Sequence, residues 1–329
     1  MTLSPAVDRL PSATPASRVL ERARLLLANN GGFVLLAVLL IIAAITSPRF
    51  FSEAAMRNTS RQAAVLGVVV VGQVLVMFVR CIDLSVSAVI GFTVVLVAEG
   101  GPGLAPGIAW AAAIAVAVGL VNGWLVTYRQ VPPFVATFGM LVLLGGARFA
   151  YTRGSTSGRV HDGLIDVARH TFGPVTVPVI VWIGLTIVAT AFIVKTAGGR
   201  RMTMAGANEE MGRLSGLPVD RYKFGAFIAC SLLAALAGVL LAGSTGYVDR
   251  SVGRDTELDS ITAALLGGAT FSGGEGSFIG GAIGSLLLAS LFTLIVLHGW
   301  STELQLVAKG IVLVGALAVG ALLRRRDRT

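Results

Sequence analysis

The chain has 329 residues, 55% of them hydrophobic and only 13% charged, with a mean hydropathy of +0.83, whereas about a quarter of the residues of a soluble domain are charged. That balance excludes a soluble globular domain, and long uninterrupted apolar runs exclude a β-barrel, whose strands alternate between apolar and polar residues. The net charge of +9 would suit a nucleic-acid partner, but the arginines gather beside the apolar runs and at the two ends of the chain, a distribution that reads as membrane topology.

Residues 1–30 mix Pro, Ser and Ala with Arg9, Arg18, Arg22 and Arg24, and lack a short apolar core followed by a cleavage site. They are predicted to form a cytoplasmic N-terminal tail and not a signal peptide. Apolar runs then recur at 31–47, 63–79, 85–98, 105–127, 134–150, 174–196, 224–243, 258–272, 277–298 and 305–323, several of them shorter than the roughly 20 residues a straight span needs. The predicted fold is an all-α membrane protein with about ten transmembrane helices. A single transmembrane domain occupies 31–323, and a basic cytoplasmic tail follows at 324–329.

Walking the loops sets the orientation. With the Arg-rich N-terminus inside, an even number of spans returns Arg324, Arg325, Arg326 and Arg328 to the same side, and the 197–223 loop, with Arg200, Arg201, Arg213, Arg221 and Lys223, falls there too. Loops 151–173 and 244–257 fall outside, together with Arg49, Arg57 and Arg61, which run against the rule. IDLSVSAVIG at 82–91 and LDSITAALLGG at 258–268 each carry an Asp with Ala five and Gly eight residues later, on helices of opposite direction. An inverted repeat of helices 2–5 and 7–10 would produce this echo, and so would chance similarity between two Ala/Gly-rich helices. Forty-one glycines point to close packing through stripes such as Gly119-x-x-x-Gly123 and Gly280-x-x-x-Gly284, within the chain or at a dimer interface.

Catalytic and metal signatures are missing. No G-x-x-x-x-G-K-[ST], H-E-x-x-H or G-x-S-x-G occurs, so no loop of the Walker type cradles a nucleotide and no catalytic or metal-binding residue is assigned. Cys81 and Cys230 match no metal spacing, and His161, His170 and His298 are scattered near segment ends. Ionisable groups near the spans are few: Asp83, Asp259, Glu275 in FSGGEG, and Lys309, which can snorkel to the outer interface.

One long polar passage, GANEEMGRLSGLPVDRYK at 206–223, interrupts this apolar chain. Asn208 is an N-cap residue, Glu209 and Glu210 fall in the first turn, Gly216 supplies a left-handed C-cap, and Pro218 forbids continuation. Such a helix has about two turns, and an isolated helix that short is marginal. It needs a surface to pack on, either a partner protein or the lipid headgroups, and Met211 and Leu214 offer the apolar side.

Five ordered motifs carry a family resemblance: IDLSVSAVIG at 82–91, VPPFVATFGMLVLLGGARFAYTRG at 131–154, GANEEMGRLSGLPVDRYK at 206–223, ELDSITAALLGGATFSGGEGSFIGGAIG at 257–284 and QLVAKGIVL at 305–313. Together they resemble the permease subunits of ribose-type sugar importers of the ATP-binding-cassette superfamily, a type II importer permease family that also includes branched-chain amino-acid permeases. The resemblance implies a transport subunit, not an enzyme, in a bacterial inner membrane. It would pair with a second permease, identical or not. A separate ATPase would hold ATP and Mg, so this chain itself needs no cofactor, and a periplasmic or lipoprotein solute-binding protein would deliver a monosaccharide or related polyol. The resemblance places the ATPase-coupling helix on Asn208, Glu209, Glu210, Met211, Arg213, Leu214, Ser215 and Gly216. Within that picture Glu210 and Arg213 are the expected polar contacts with the ATPase, and Met211 and Leu214 the apolar ones.

Candidate translocation-pathway residues are polar groups on apolar spans, Gln73, Asp83, Ser85, Ser87, Asn122, Thr137 and Ser260, together with Phe134 after the double proline, as a gate or as a simple packing residue. Helix-to-helix hydrogen bonding explains the polar ones equally well. The chain departs from the family pattern where Arg80, Cys81 and Ser87 stand at positions usually glycine. A branched-chain amino-acid permease and an ion-coupled secondary carrier are the alternative readings.

Overall fold

The computed structural model describes residues 15–98, 102–154, 158–249, 252–301, 303–308, 310–312 and 314–315, with side chains from residue 31 onward. Residues 1–14, Lys309 and the predicted basic tail at 324–329 lie outside the described residues. The described chain is mostly helical: α1 Pro15–Thr46, α2 Glu53–Phe78, α3 Val86–Leu96, α4 Leu104–Thr127, α5 Pro133–Tyr151, α6 Asp162–Arg169, α7 Val177–Lys195, α8 Ala197–Ala207, α9 Glu209–Leu214, α10 Val219–Thr245, α11 Thr256–Leu266 and α12 Phe278–Leu297. Residues 15–30, expected as a tail, continue α1 as helix. The described residues from 303 to 315 are helical, where the last span is predicted.

Local signals set the ends of these helices. Ser52 caps α2, its hydroxyl accepting from the Ala55 amide, and Ser277 caps α12 in the same way from Gly280. Pro132 and Pro133 start α5, where the missing amide hydrogen costs nothing. Gly246, at φ +79°, stops α10.

Six of the helices, α2, α4, α5, α7, α10 and α12, are long and apolar enough to cross a membrane. Two predicted spans turn out shorter than the apolar runs suggested. α3 and α11 have 11 residues each, which at 1.5 Å per residue is about 16 Å, roughly half of a hydrocarbon core. Irregular backbone flanks these short helices, 79–85 before α3 and 267–277 after α11. Such backbone survives at membrane depth only inside protein, and here Asp83 and Ser85 are fully buried.

α2 is the most deeply buried of the six long helices and α5 the least. α10 packs on α4, α2 and α3, α12 packs on α2 and α11, and α7 lies against α2. Both glycine stripes are consumed inside the chain. A Cβ on Gly119 would sit 2.5 Å from the Ile228 Cα, one on Gly123 would meet Phe224 at 2.9 Å, and those on Gly280 and Gly284 would meet the carbonyl oxygens of Gly267 and Ala263 at 2.0 and 2.1 Å. Close helix contact without side chains replaces the hydrophobic drive that lipid does not supply.

The loops sort to two ends of the bundle. At one end β1 (Gly158–Arg159) pairs antiparallel with β4 (Tyr247–Val248), Ala98 bridges Val160, and the small hairpin of β2 (Thr171–Phe172) and β3 (Val175–Thr176) lies between α6 and α7. At the other end the Gly274 amide donates to the Phe78 carbonyl at 2.9 Å and Arg80 reaches Gly206. This grouping is the one the charge walk requires: 151–173 with 244–257 at one end, and 197–223 with the α2–α3 and α11–α12 connections at the other.

Candidate functional site

The polar passage at 206–223 folds as two helices joined at one residue. Asn208 ends α8, its amide donating to the Met204 carbonyl, and starts α9, its side chain accepting from the Met211 amide at 3.0 Å. Losing such a cap costs about 1 kcal/mol. At the far end the Gly216 amide donates to Arg213 and the Leu217 amide to Gly212, with Gly216 at φ +74°. This is the Schellman pattern, which satisfies the last carbonyls of the helix.

Charged side chains then fix α9 to the start of α10. Arg213 donates to both carboxylate oxygens of Asp220, at 3.0 and 2.5 Å, and to Glu209 at 3.1 Å. Lys223 donates to the other Glu209 oxygen at 2.7 Å. The hydrogen bonds it donates to Asp220 and then Glu209 hold Arg213 more firmly protonated than usual. Partial burial pushes the Glu209 carboxyl up, but Lys223 and Arg213 outweigh it and leave it below the ordinary carboxylate value. The Arg213 pairs are partly exposed and each worth under about 1 kcal/mol, and Lys223–Glu209 is the more buried pair; the bidentate fork adds direction.

The brace faces inward on the loop, and the apolar residues face away. Met211 is 58% and Leu214 79% exposed. Glu210, Ser215 and Gly216 are exposed on the same short helix and its cap. Of the three charged groups in α9, then, Glu209 and Arg213 are engaged within the chain and Glu210 points to solvent. Two expectations follow. Arg213→Glu should loosen α9, and the swap Arg213→Asp with Asp220→Arg should restore it; a swap that leaves the α9 amides exchanging as fast as in Arg213→Glu would show that the pair does not hold this helix. Because the folded Glu209 value is depressed, its contribution is present above the unfolded value of about 4.3 and lost as pH falls through the lower folded value. The stability of this loop should therefore be flat from about pH 5.5 to 8.

Below this loop the α2–α3 break holds a second polar group. The Asp83 carboxylate accepts from the Ser85 amide at 2.8 Å and from its hydroxyl at 2.5 Å, an Asx turn that leads into α3. Asn122 on α4 donates to the Ser85 hydroxyl at 3.0 Å. All three are fully buried. Gln73 on α2 is also fully buried, and its carboxamide bonds to no group of the chain among the described residues. Ser87 is buried in the first turn of α3. Thr137 donates to Pro133 and Ser260 to Glu257, both within their own helices. Phe134 is 56% exposed and stacks on Phe138 with centroids 5.9 Å apart. The structure thus joins Asp83, Ser85 and Asn122 and leaves Gln73, Ser87, Thr137, Ser260 and Phe134 apart from that network.

Several contacts were not anticipated. Asp220 and Lys223 complete the brace, and the signal for them was opposite charge on both sides of the Gly216–Pro218 turn. Arg80, at φ +61°, donates through Nε to the Gly206 carbonyl at 2.7 Å and through Nη2 to the Ala207 carbonyl at 2.5 Å. A non-glycine residue in that backbone region costs about 1–2 kcal/mol. Gly206 itself admits no side chain, since a Cβ there would lie 1.7 Å from the Phe78 oxygen. Among the described residues no group of three or more His, Cys, Asp and Glu could hold a metal ion.

Comparison with known proteins gives three findings. Residues 55–317 match the family described as branched-chain amino acid transport system / permease component. The chain is 35% identical over 284 residues to the ribose import permease protein RbsC of Escherichia coli (strain K12), covering 83% of this chain and 87% of that one. It is 33% identical to the ribose import permease protein RbsC of Bacillus subtilis (strain 168), over 83% and 86% of the two chains, and 32% identical to the autoinducer 2 import system permease protein LsrC of Yersinia pestis (strain Pestoides F), over 85% and 81%. No solved structure matches.

Proposed function

This chain belongs to the permease family of branched-chain amino acid transport systems, and from that premise we propose that it is the membrane-spanning subunit of an ATP-driven sugar importer in a bacterial plasma membrane. Two permeases form the pathway, a partner ATPase binds ATP and Mg, and a solute-binding protein outside the membrane delivers a monosaccharide or related polyol. The observation that carries this reading is α9: a capped helix braced from behind by Asp220 and Lys223, with Met211 and Leu214 presented outward. An apolar pair held rigidly at the end of the bundle suits a groove on another protein, because its ordering cost is already met before binding. Closure of two ATPase subunits would pull on α9 and, through the brace, on α10, so that the bundle alternates between outward- and inward-facing arrangements.

The solute class rests on the two ribose import permeases, similar over most of both chains. The family description, which names branched-chain amino acids, favours a second reading in which the solute is an amino acid of that kind. Calorimetry on the solute-binding protein that works with this chain separates the two: ribose or a related sugar binds and leucine does not, and the reverse overturns the sugar reading. For docking, Leu214→Cys should cross-link to a single-cysteine ATPase subunit, whereas a cysteine at Phe134 should not.

A further inference from the structure

We infer that Arg80 is a positioning residue that ties the coupling segment to the buried Asp83–Ser85–Asn122 network. The inference deepens the coupling role proposed above and rests on it. Three segments distant in sequence meet at this residue. The C-terminus of α2 supplies the Phe78 carbonyl, which accepts from Gly274 in the α11–α12 connection. The C-terminus of α8 supplies the Gly206 and Ala207 carbonyls, both taken by the Arg80 guanidinium. The Arg80 stem lies against Gly273, where a Cβ would come within 2.3 Å of its Cγ.

Chemistry explains why an arginine suits this place. The last carbonyls of a helix lack intrahelical partners and carry partial negative charge, so a cation that donates two hydrogen bonds caps them well. The planar guanidinium spans two adjacent carbonyls, which an ammonium group cannot do with the same rigidity. The left-handed backbone at Arg80 suits glycine, so the side chain stands here against the local backbone preference. A strained side chain held by two charge-assisted bonds is a built contact, not a surface accident.

The clamp also sits at a junction of moving parts. Ala207 immediately precedes Asn208, the cap of α9, and Arg80 lies three residues before Asp83 in the irregular segment that joins α2 to α3. A pull on α9 therefore reaches 79–85 through two hydrogen bonds, in addition to the route through α10. The ammonium of Arg80→Lys keeps the charge and one bond; Arg80→Met keeps the stem and neither bond.

Amide hydrogen exchange on the purified permease in nanodiscs tests this. In Arg80→Met, amides at 204–214 should exchange at least about ten-fold faster than in the wild type, with Arg80→Lys within about three-fold of it and α10 residues 226–240 unchanged. Unaltered protection at 204–214 in Arg80→Met overturns the clamp. Adding the ATPase subunit with a non-hydrolysable ATP analogue then tests transmission. Wild type should change protection at both 204–217 and 79–87, and Arg80→Met at 204–217 alone. Changes at both segments in Arg80→Met overturn the positioning role. Absence of any change at 204–217 in the wild type would instead count against the docking of α9, and the clamp would be judged on the free permease.

Discussion

Replacing Leu214 by Asp together with Met211 by Ser is expected to abolish ATP-driven uptake, by about 100-fold or more, while leaving the stability of the chain unchanged. Both side chains are largely exposed, so no contact within the chain is lost when they change. An apolar anchor seated in a partner groove contributes about 2 kcal/mol or more, and an introduced carboxylate would also be desolvated there. Uptake and thermal melting of the same preparations check both halves of the expectation. Full uptake by the double variant would remove α9 from the docking surface.

The second large effect is on folding. Gly284→Val should destabilise the chain by at least about 3 kcal/mol, lowering its melting temperature by on the order of 10 °C. A Cβ at Gly284 would come within 2.1 Å of the Ala263 carbonyl oxygen and 2.8 Å of its carbon, and backbone on a neighbouring helix cannot swing aside as a side chain does. α11 would be forced off α12. Gly139→Val is the control, because open space surrounds that position on α5, and it should melt within a few degrees of the wild type. Equal losses in the two variants would mean that helix propensity, not packing, governs both.

The six long helices were legible because lipid-facing and protein-facing helices are both apolar and long. The short helix α9 was legible down to its caps, since Asn208 and Gly216 act on neighbouring backbone. α3 fills most of its predicted run at 85–98, but the early end of α11 was not legible: the run predicted to 272 stops as helix at Leu266, and Gly267, Gly268 and Ala269 carry too little polarity for hydropathy to mark the change. The echoing motifs at 82–91 and 258–268 fall on these two short helices, one after a break and the other before one.

Long-range partners were the other illegible part. Arg213 was expected to contact an ATPase, and the structure places it on Asp220 seven residues ahead, a geometry set by the turn at Gly216 and Pro218. Arg80 was noted only as a departure from glycine, and its partners lie 126 and 127 residues away. Of the polar groups on apolar spans, composition alone gave no reason to join Asp83, Ser85 and Asn122 and to leave Thr137 and Ser260 on their own helices.

The most direct test of the account is uptake into proteoliposomes. The permease reconstituted with its ATPase and solute-binding protein should accumulate solute on addition of ATP, and the permease alone should accumulate none under a proton or sodium gradient. Gradient-driven accumulation by the purified chain alone would contradict it.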